Sequence, residues 1–236
     1  MHYLQPDRIV ETIAILQTRI GERFPNSGLS KVCGHLLEIA KVAEQKTIWF
    51  GQPVRWLRVL CWAFSLLIVA VSIGTIIVID EAAQGGPMRI GLAEFIQILE
   101  AGINDIVLIG AAMFFLISLE TRYKRGRALT SIHELRSIAH IIDMHQLTKD
   151  PERIMNKKFS STGSSPKHTM TRFELRRYLD YCSEMLSLTG KIAALYIQDF
   201  NDSVAIASVN EVEELCTGLS RKIWQKVSIL QDHEDD

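Results

Sequence analysis

From Val59 to Ile79 the chain reads VLCWAFSLLIVAVSIGTIIVI, 21 residues without a charge. At a helical rise of ~1.5 Å per residue this stretch crosses the ~30 Å hydrocarbon core of a bilayer. It therefore predicts a membrane-spanning helix, and no other feature restricts the fold as much. About fifty charged and patterned residues come before it, whereas a cleaved signal peptide has its short apolar region at the extreme N-terminus. An internal signal anchor that stays in the protein is expected.

A second apolar segment, AGINDIVLIGAAMFFLISL from Ala101 to Leu119, carries Asn104 and Asp105 near its start. Its strictly uncharged part, from Ile106, has 14 residues, a length also found in the core helix of a soluble domain. The flanks favour a span. Arg55 and Arg58 precede the first segment, and Arg122, Lys124, Arg125 and Arg127 follow the second. The stretch between the two carries Asp80, Glu81, Glu94 and Glu100 against a single Arg89. The positive-inside rule then puts both termini in the cytoplasm and the connecting loop outside. AAQGGP reads as a turn, and Leu92, Phe95, Ile96 and Leu99 resume a helical pattern that runs unbroken into the second span.

Composition fits a membrane protein: 47% of the residues are apolar and the formal net charge is −1. The largest basic cluster is RYKRGR, too small for a nucleic-acid footprint, so DNA and RNA are not expected partners. Cys33, Cys182 and Cys216 fall on the cytoplasmic side and Cys61 just inside the first span. No pair has CxxC spacing, and a reducing compartment disfavours disulfides, so they count as small apolar residues. No cofactor is predicted.

The cytoplasmic parts read as helices. Ile9, Ile13, Leu16, Ile20 and Phe24 share one face of a helix starting at Pro6 and Asp7. PNSGL breaks it, and Ser27 or Ser30 is the candidate cap of a second helix, which carries Leu29, Val32, Cys33, Leu36, Leu37, Ala40 and Ala43 inward and is interrupted at Gly51 and Pro53. A long helix extends the second span to about Lys149. NKKFSSTGSSPKHTMT, residues 156 to 171, is loop-like. After it Leu175, Leu179, Cys182, Leu186, Ile192 and Leu195 mark one helix. Val209, Val212, Cys216, Leu219, Ile223 and Leu230 mark another, in a heptad whose one defect is Lys226. This heptad fits a helical hairpin closing a bundle, or a coiled-coil contact between subunits through Val212, Leu219 and Ile223.

The predicted fold is an all-α integral membrane protein, a two-helix transmembrane hairpin with a cytoplasmic helical bundle. Its parts are a cytoplasmic N-terminal hairpin (1–55), a first span (56–79), an external loop and amphipathic helix start (80–100), a second span (101–121), a cytoplasmic extension (122–155), a flexible loop (156–171) and a C-terminal hairpin (172–236). RIGERFPNSGLSKV, HELRSIAHIIDMHQLTKDP and LSRKIWQK together resemble an uncharacterised group of bacterial two-span inner-membrane proteins. The resemblance spans most of the chain. It implies a bacterial inner membrane and brings no reaction, ligand or site residue with it.

Chemistry-bearing residues concentrate in SIHELRSIAHIIDMHQLTKD, residues 131 to 150. On a helix His133, Arg136, His140 and Asp143 lie on one stripe. The stripe fits a buried network in which Arg136 pairs with Asp143 or with a glutamate of another helix, a solvated surface, or a metal site completed by His35, His145 or His168. HExxH is absent because position 137 is Ser, and there is no phosphate loop, GxSxG or GxGxxG. Near the outer end of the second span Glu100, Asn104 and Asp105 suggest a polar pore mouth with Phe115 as a hydrophobic gate, provided that several copies assemble. The function expected is a non-enzymatic, homo-oligomeric membrane anchor or adaptor, binding the lipid bilayer and a cytoplasmic protein partner. A cation-favouring channel and a metal-dependent hydrolase are the alternatives.

Overall fold

Pro6 opens the first helix at a position where a missing N–H costs nothing, because first-turn amides have no intrahelical partner. In the computed structural model, which describes residues 3–52, 55–83, 92–151 and 170–231, this helix is α1, Pro6–Arg23. It is followed by α2 (Gly28–Gly51), α3 (Arg55–Ala83), α4 (Leu92–Leu147), α5 (Arg172–Leu195) and α6 (Ser203–Gln231). Among the described residues there is no strand. Between α1 and α2 the backbone turns at Asn26, whose φ of 57° lies in the left-handed region that asparagine tolerates. Ser27 rather than Ser30 caps α2, its Oγ accepting from the Ser30 amide at 3.1 Å.

The chain divides into two units, residues 1–51 with 125–236, and residues 52–124. In the first, α1, α2, the part of α4 from Arg125 on, α5 and α6 surround one core. Periodicity explains which faces meet there. The predicted stripe of α1 is buried at Ile9, Ile13, Leu16, Ile20 and Phe24, and that of α5 at Leu175, Leu179, Cys182, Leu186, Ile192 and Leu195. α4 adds Ile132, Leu135 and Ile142, each 0% exposed. Burying one such side chain contributes ~1.5–3 kcal/mol, so these stripes are the main source of the bundle's stability. In α2, Val32 is only partly buried against this core.

Two expectations for this unit change. Val212, Leu219 and Ile223 are 0%, 5% and 1% exposed within a single chain, so the proposed subunit contact is spent on the core of the chain's own bundle. The buried line of α6 also passes through Val227 rather than Lys226, a step of four where a strict heptad requires three. In addition, Thr171 is not loop. It caps α5 in a reciprocal pair, its hydroxyl accepting from the Glu174 amide while Glu174 accepts from the Thr171 amide. Met170 is partly buried against the core, and residues 156–169 of the expected loop lie outside the described residues, as do residues 84–91 of the expected external loop.

In the second unit, α3 and the part of α4 up to Lys124 expose their large apolar side chains, among them Trp62, Leu66, Ile106, Phe114 and Phe115. Among the described residues one helix, α4, is long and apolar enough to cross a membrane, and none of its most apolar window is buried. α3 contributes a shorter apolar run, Trp62–Gly74, because the side chains of Cys61, Thr75 and Ile76 are outside those described. Two such helices were expected, and length and composition single out one.

Candidate functional site

α4 carries most of the polar residues singled out in the sequence. In the unit of residues 52–124, half-buried positions on α4 include Asp105, Ile109, Ala112 and Leu116, spaced four, three and four apart; on α3 they are Ser65, Ile68 and Ser72, spaced three and four. These spacings define one face on each helix. The faces are joined where the Ser72 hydroxyl meets Asp105 Oδ2, and Ser72 Oγ also lies 2.9 Å from the Ile68 carbonyl. Asp105 therefore lies on a different face of α4 from Glu100 and Asn104. One residue turns an α-helix by about 100°, so Asn104 and Asp105 point differently. Glu100, Asn104, Leu108, Ala111 and Phe115 lie exposed along a separate face. At the other end of this unit Lys124, 8% exposed, sits 3.0 Å from Glu120 and donates to the Gln52 carbonyl at 2.8 Å.

In the bundle the strongest ion pair joins α4 to the start of α6. Arg125 forks onto Asp202, with Nε 3.0 Å from both oxygens and Nη2 2.7 Å from Oδ2. Asp202 Oδ1 also accepts from the Ala205 amide at 3.0 Å, so the same carboxylate caps α6. Burial pushes the Asp202 carboxyl toward its neutral form, but the Arg125 guanidinium and the amides of Ala205 and Val204 outweigh it. The carboxyl is held below its ordinary range. Sequence inspection missed this residue although the signal, an Asp ahead of an apolar-periodic run, was present.

The four-residue stripe disperses. Arg136 pairs with Glu211 of α6, a glutamate of another helix, but Arg136 is 33% and Glu211 62% exposed. His133 and His140 are exposed, and Asp143 accepts from Gln146 Nε2 at 2.6 Å. Among the described residues no three His, Cys, Asp or Glu side chains come together as a metal shell.

The polar residues that do converge lie one turn further on, at the C-terminal end of α4. The His145 ring rests against Gly28 at the start of α2, where an added Cβ would meet His145 Cε1 at 2.5 Å. His145 Nδ1 is 3.4 Å from the Tyr178 hydroxyl, and the Lys149 ammonium sits 5.1 Å above the Tyr178 ring. Lys226, the defect in the heptad, donates to the carbonyls of Gln146 and Lys149 at 2.8 and 3.0 Å. It thus closes the last turn of α4, where carbonyls lack intrahelical donors. Burial pushes the His145 imidazole below its ordinary value, and the nearby Lys149 charge pushes the same way. Burial likewise raises the Cys182 thiol to about 12. The cluster holds neutral imidazole, phenol and thiol groups with no activated nucleophile–base pair, an arrangement that fastens α2, α4, α5 and α6 together.

No family model, curated protein or solved structure matches the chain.

Proposed function

We propose that the chain is a non-enzymatic, membrane-anchored assembly protein, with α3 and the first part of α4 spanning a bilayer as a hairpin and the helical bundle in the cytoplasm. One observation carries this reading: most of the described large apolar side chains of α3 and of α4 up to Leu119 are exposed, while those of the bundle close over a core. Exposed apolar surface on that scale needs lipid or protein to cover it. The basic residues beside both spans support cytoplasmic termini, and the resemblance to bacterial two-span proteins supports an inner membrane.

With Val212, Leu219 and Ile223 occupied inside the bundle, we assign contact between copies to α4. Thr130, His133, Ser137, His140, Met144 and Leu147 alternate at three and four and are all exposed. Copies anchored in one membrane present this seam in parallel, so each residue meets its equivalent. A cysteine at position 140 should form a disulfide-linked dimer in oxidised membranes, while one at the exposed Asn210 of α6 should not. Equal cross-linking at both positions, or none at 140, removes the assembly reading.

The channel alternative retains one supporting observation, the exposed face bearing Glu100, Asn104, Leu108, Ala111 and Phe115. Cation flux in proteoliposomes that falls on Glu100→Lys would favour it, and flux equal to that of empty liposomes would leave the anchor.

A further inference from the structure

His133 and Glu134 stand side by side on α4, and both are exposed. Imidazole nitrogen and carboxylate oxygen are ordinary ligands of zinc, which structural sites hold tetrahedrally with a closed set of four. One chain supplies two of the four, because among its described residues no three His, Cys, Asp or Glu side chains come together. A closed set therefore needs ligands from a second molecule.

The register of α4 says which ligands those are. In the exposed seam Thr130, Ser137 and Met144 occupy one core position of a heptad, and His133, His140 and Leu147 occupy the other. In a parallel pair, a residue at the second position packs against its equivalent and against the residue that follows it on the facing helix. His133 of one copy then faces His133 and Glu134 of the other, and two imidazoles and two carboxylates meet in a single layer. The layer at His140 differs, because Ile141 follows it and brings no ligand. Arg136, the nearest cation along α4, is drawn away to Glu211 of α6.

The seam also has too little apolar surface to hold two copies unaided. From Thr130 to Leu147 it runs for roughly two and a half heptads, short of the three to four over which a coiled coil is normally sustained. Its large exposed apolar residues are Ile141, Met144 and Leu147, all toward one end. Polar residues fill the core positions of the other end, at a cost in stability.

We propose that His133 and Glu134 of two copies form a tetrahedral zinc site that fastens the polar end of this seam. The site rests on the assembly reading above and is incomplete without the second copy. Its imidazoles select zinc over magnesium and calcium, which take oxygen ligands.

The test uses the untagged full chain in lipid nanodiscs, with zinc chloride as the probe. Elemental analysis after dialysis should find one zinc for every two chains, and excess magnesium should not displace it. His133→Ala and Glu134→Gln, both at exposed positions, should each weaken zinc binding in calorimetric titrations by more than the roughly 10–100-fold that an outer-shell partner contributes. His140→Ala should leave zinc binding unchanged. Disulfide formation by a cysteine at position 140 in native membranes reports the assembly separately. A disulfide there, with no zinc bound or with zinc bound equally well by His133→Ala, overturns the zinc site and leaves the assembly intact. One zinc per chain likewise overturns a shared site. Absence of the disulfide overturns the assembly, and the site with it.

Discussion

Asp202 combines a helix cap with an ion pair, and two substitutions separate them. Asp202→Ala removes the acceptor for the Ala205 amide and the partner of Arg125 together. Losing an N-cap costs ~1 kcal/mol. Losing charge-assisted hydrogen bonds costs ~1.5 kcal/mol or more when both groups are buried. Asp202 is 4% exposed but Arg125 is 35% exposed, so solvent screening brings the second contribution down to ~1 kcal/mol. The alanine variant should therefore lose ~2 kcal/mol. Asp202→Asn keeps an oxygen for the Ala205 amide and loses the charge, and should lose ~1 kcal/mol. For a unit of this size each kcal/mol moves the melting midpoint by ~2–4 °C, a difference that circular dichroism of the full chain in detergent resolves. pH gives a second reading. Because hydrogen bonds hold the folded carboxyl below its unfolded value of ~3.9, its contribution is complete above that pH and disappears as pH falls through the folded value. Wild type should lose this increment below about pH 4, and Asp202→Asn should not. An alanine variant as stable as wild type, or an asparagine variant as costly as alanine, refutes the division between cap and ion pair.

Arg136→Ala should cost less than ~1 kcal/mol by the same melting assay, since its partner Glu211 is largely exposed and surface pairs contribute little. His145 supplies a pH slope of the opposite protonation sense to a paired histidine. Its folded pKa is depressed by burial and Lys149, so its share of stability is present above the unfolded value of ~6.5 and is lost as pH falls through that value toward the folded one. Urea titrations should show this loss, and His145→Gln should flatten it. Gly28→Ala forces the His145 ring away and should cost ~1 kcal/mol, a loss that adding His145→Ala restores in a double-mutant cycle. An additive cycle would separate Gly28 from His145.

The helices were legible because burial follows the 3.6-residue period. The stripe from Ile9 to Phe24 was readable in one sequence window, and so was the break at Gly51, while the long helix expected to reach about Lys149 ends at Leu147. The sites were less so. Partners such as Arg125 and Asp202, or Gly28 and His145, are brought together by the packing of helices distant in sequence, and no local pattern encodes that. A helical stripe such as His133, Arg136, His140 and Asp143 shows which residues share a side but not whether that side is covered. Here α6 covers Arg136 only partly and leaves both histidines in solvent. Lys226 looked like a fault in a heptad because the pattern of α6 alone gives no sign of the α4 carbonyls that it caps. The sequence places Asp105 beside Asn104, but only the packing of α3 on α4 brings it to Ser72.

The central claim is that α3 and α4 form a hairpin with both chain ends in the cytoplasm, and cysteine accessibility in intact cells tests it most directly. A cysteine at Gln84 should react with a membrane-impermeant maleimide, and one at Ser164 should react only after the cells are opened. Labelling of Ser164→Cys in intact cells with Gln84→Cys protected would contradict that topology.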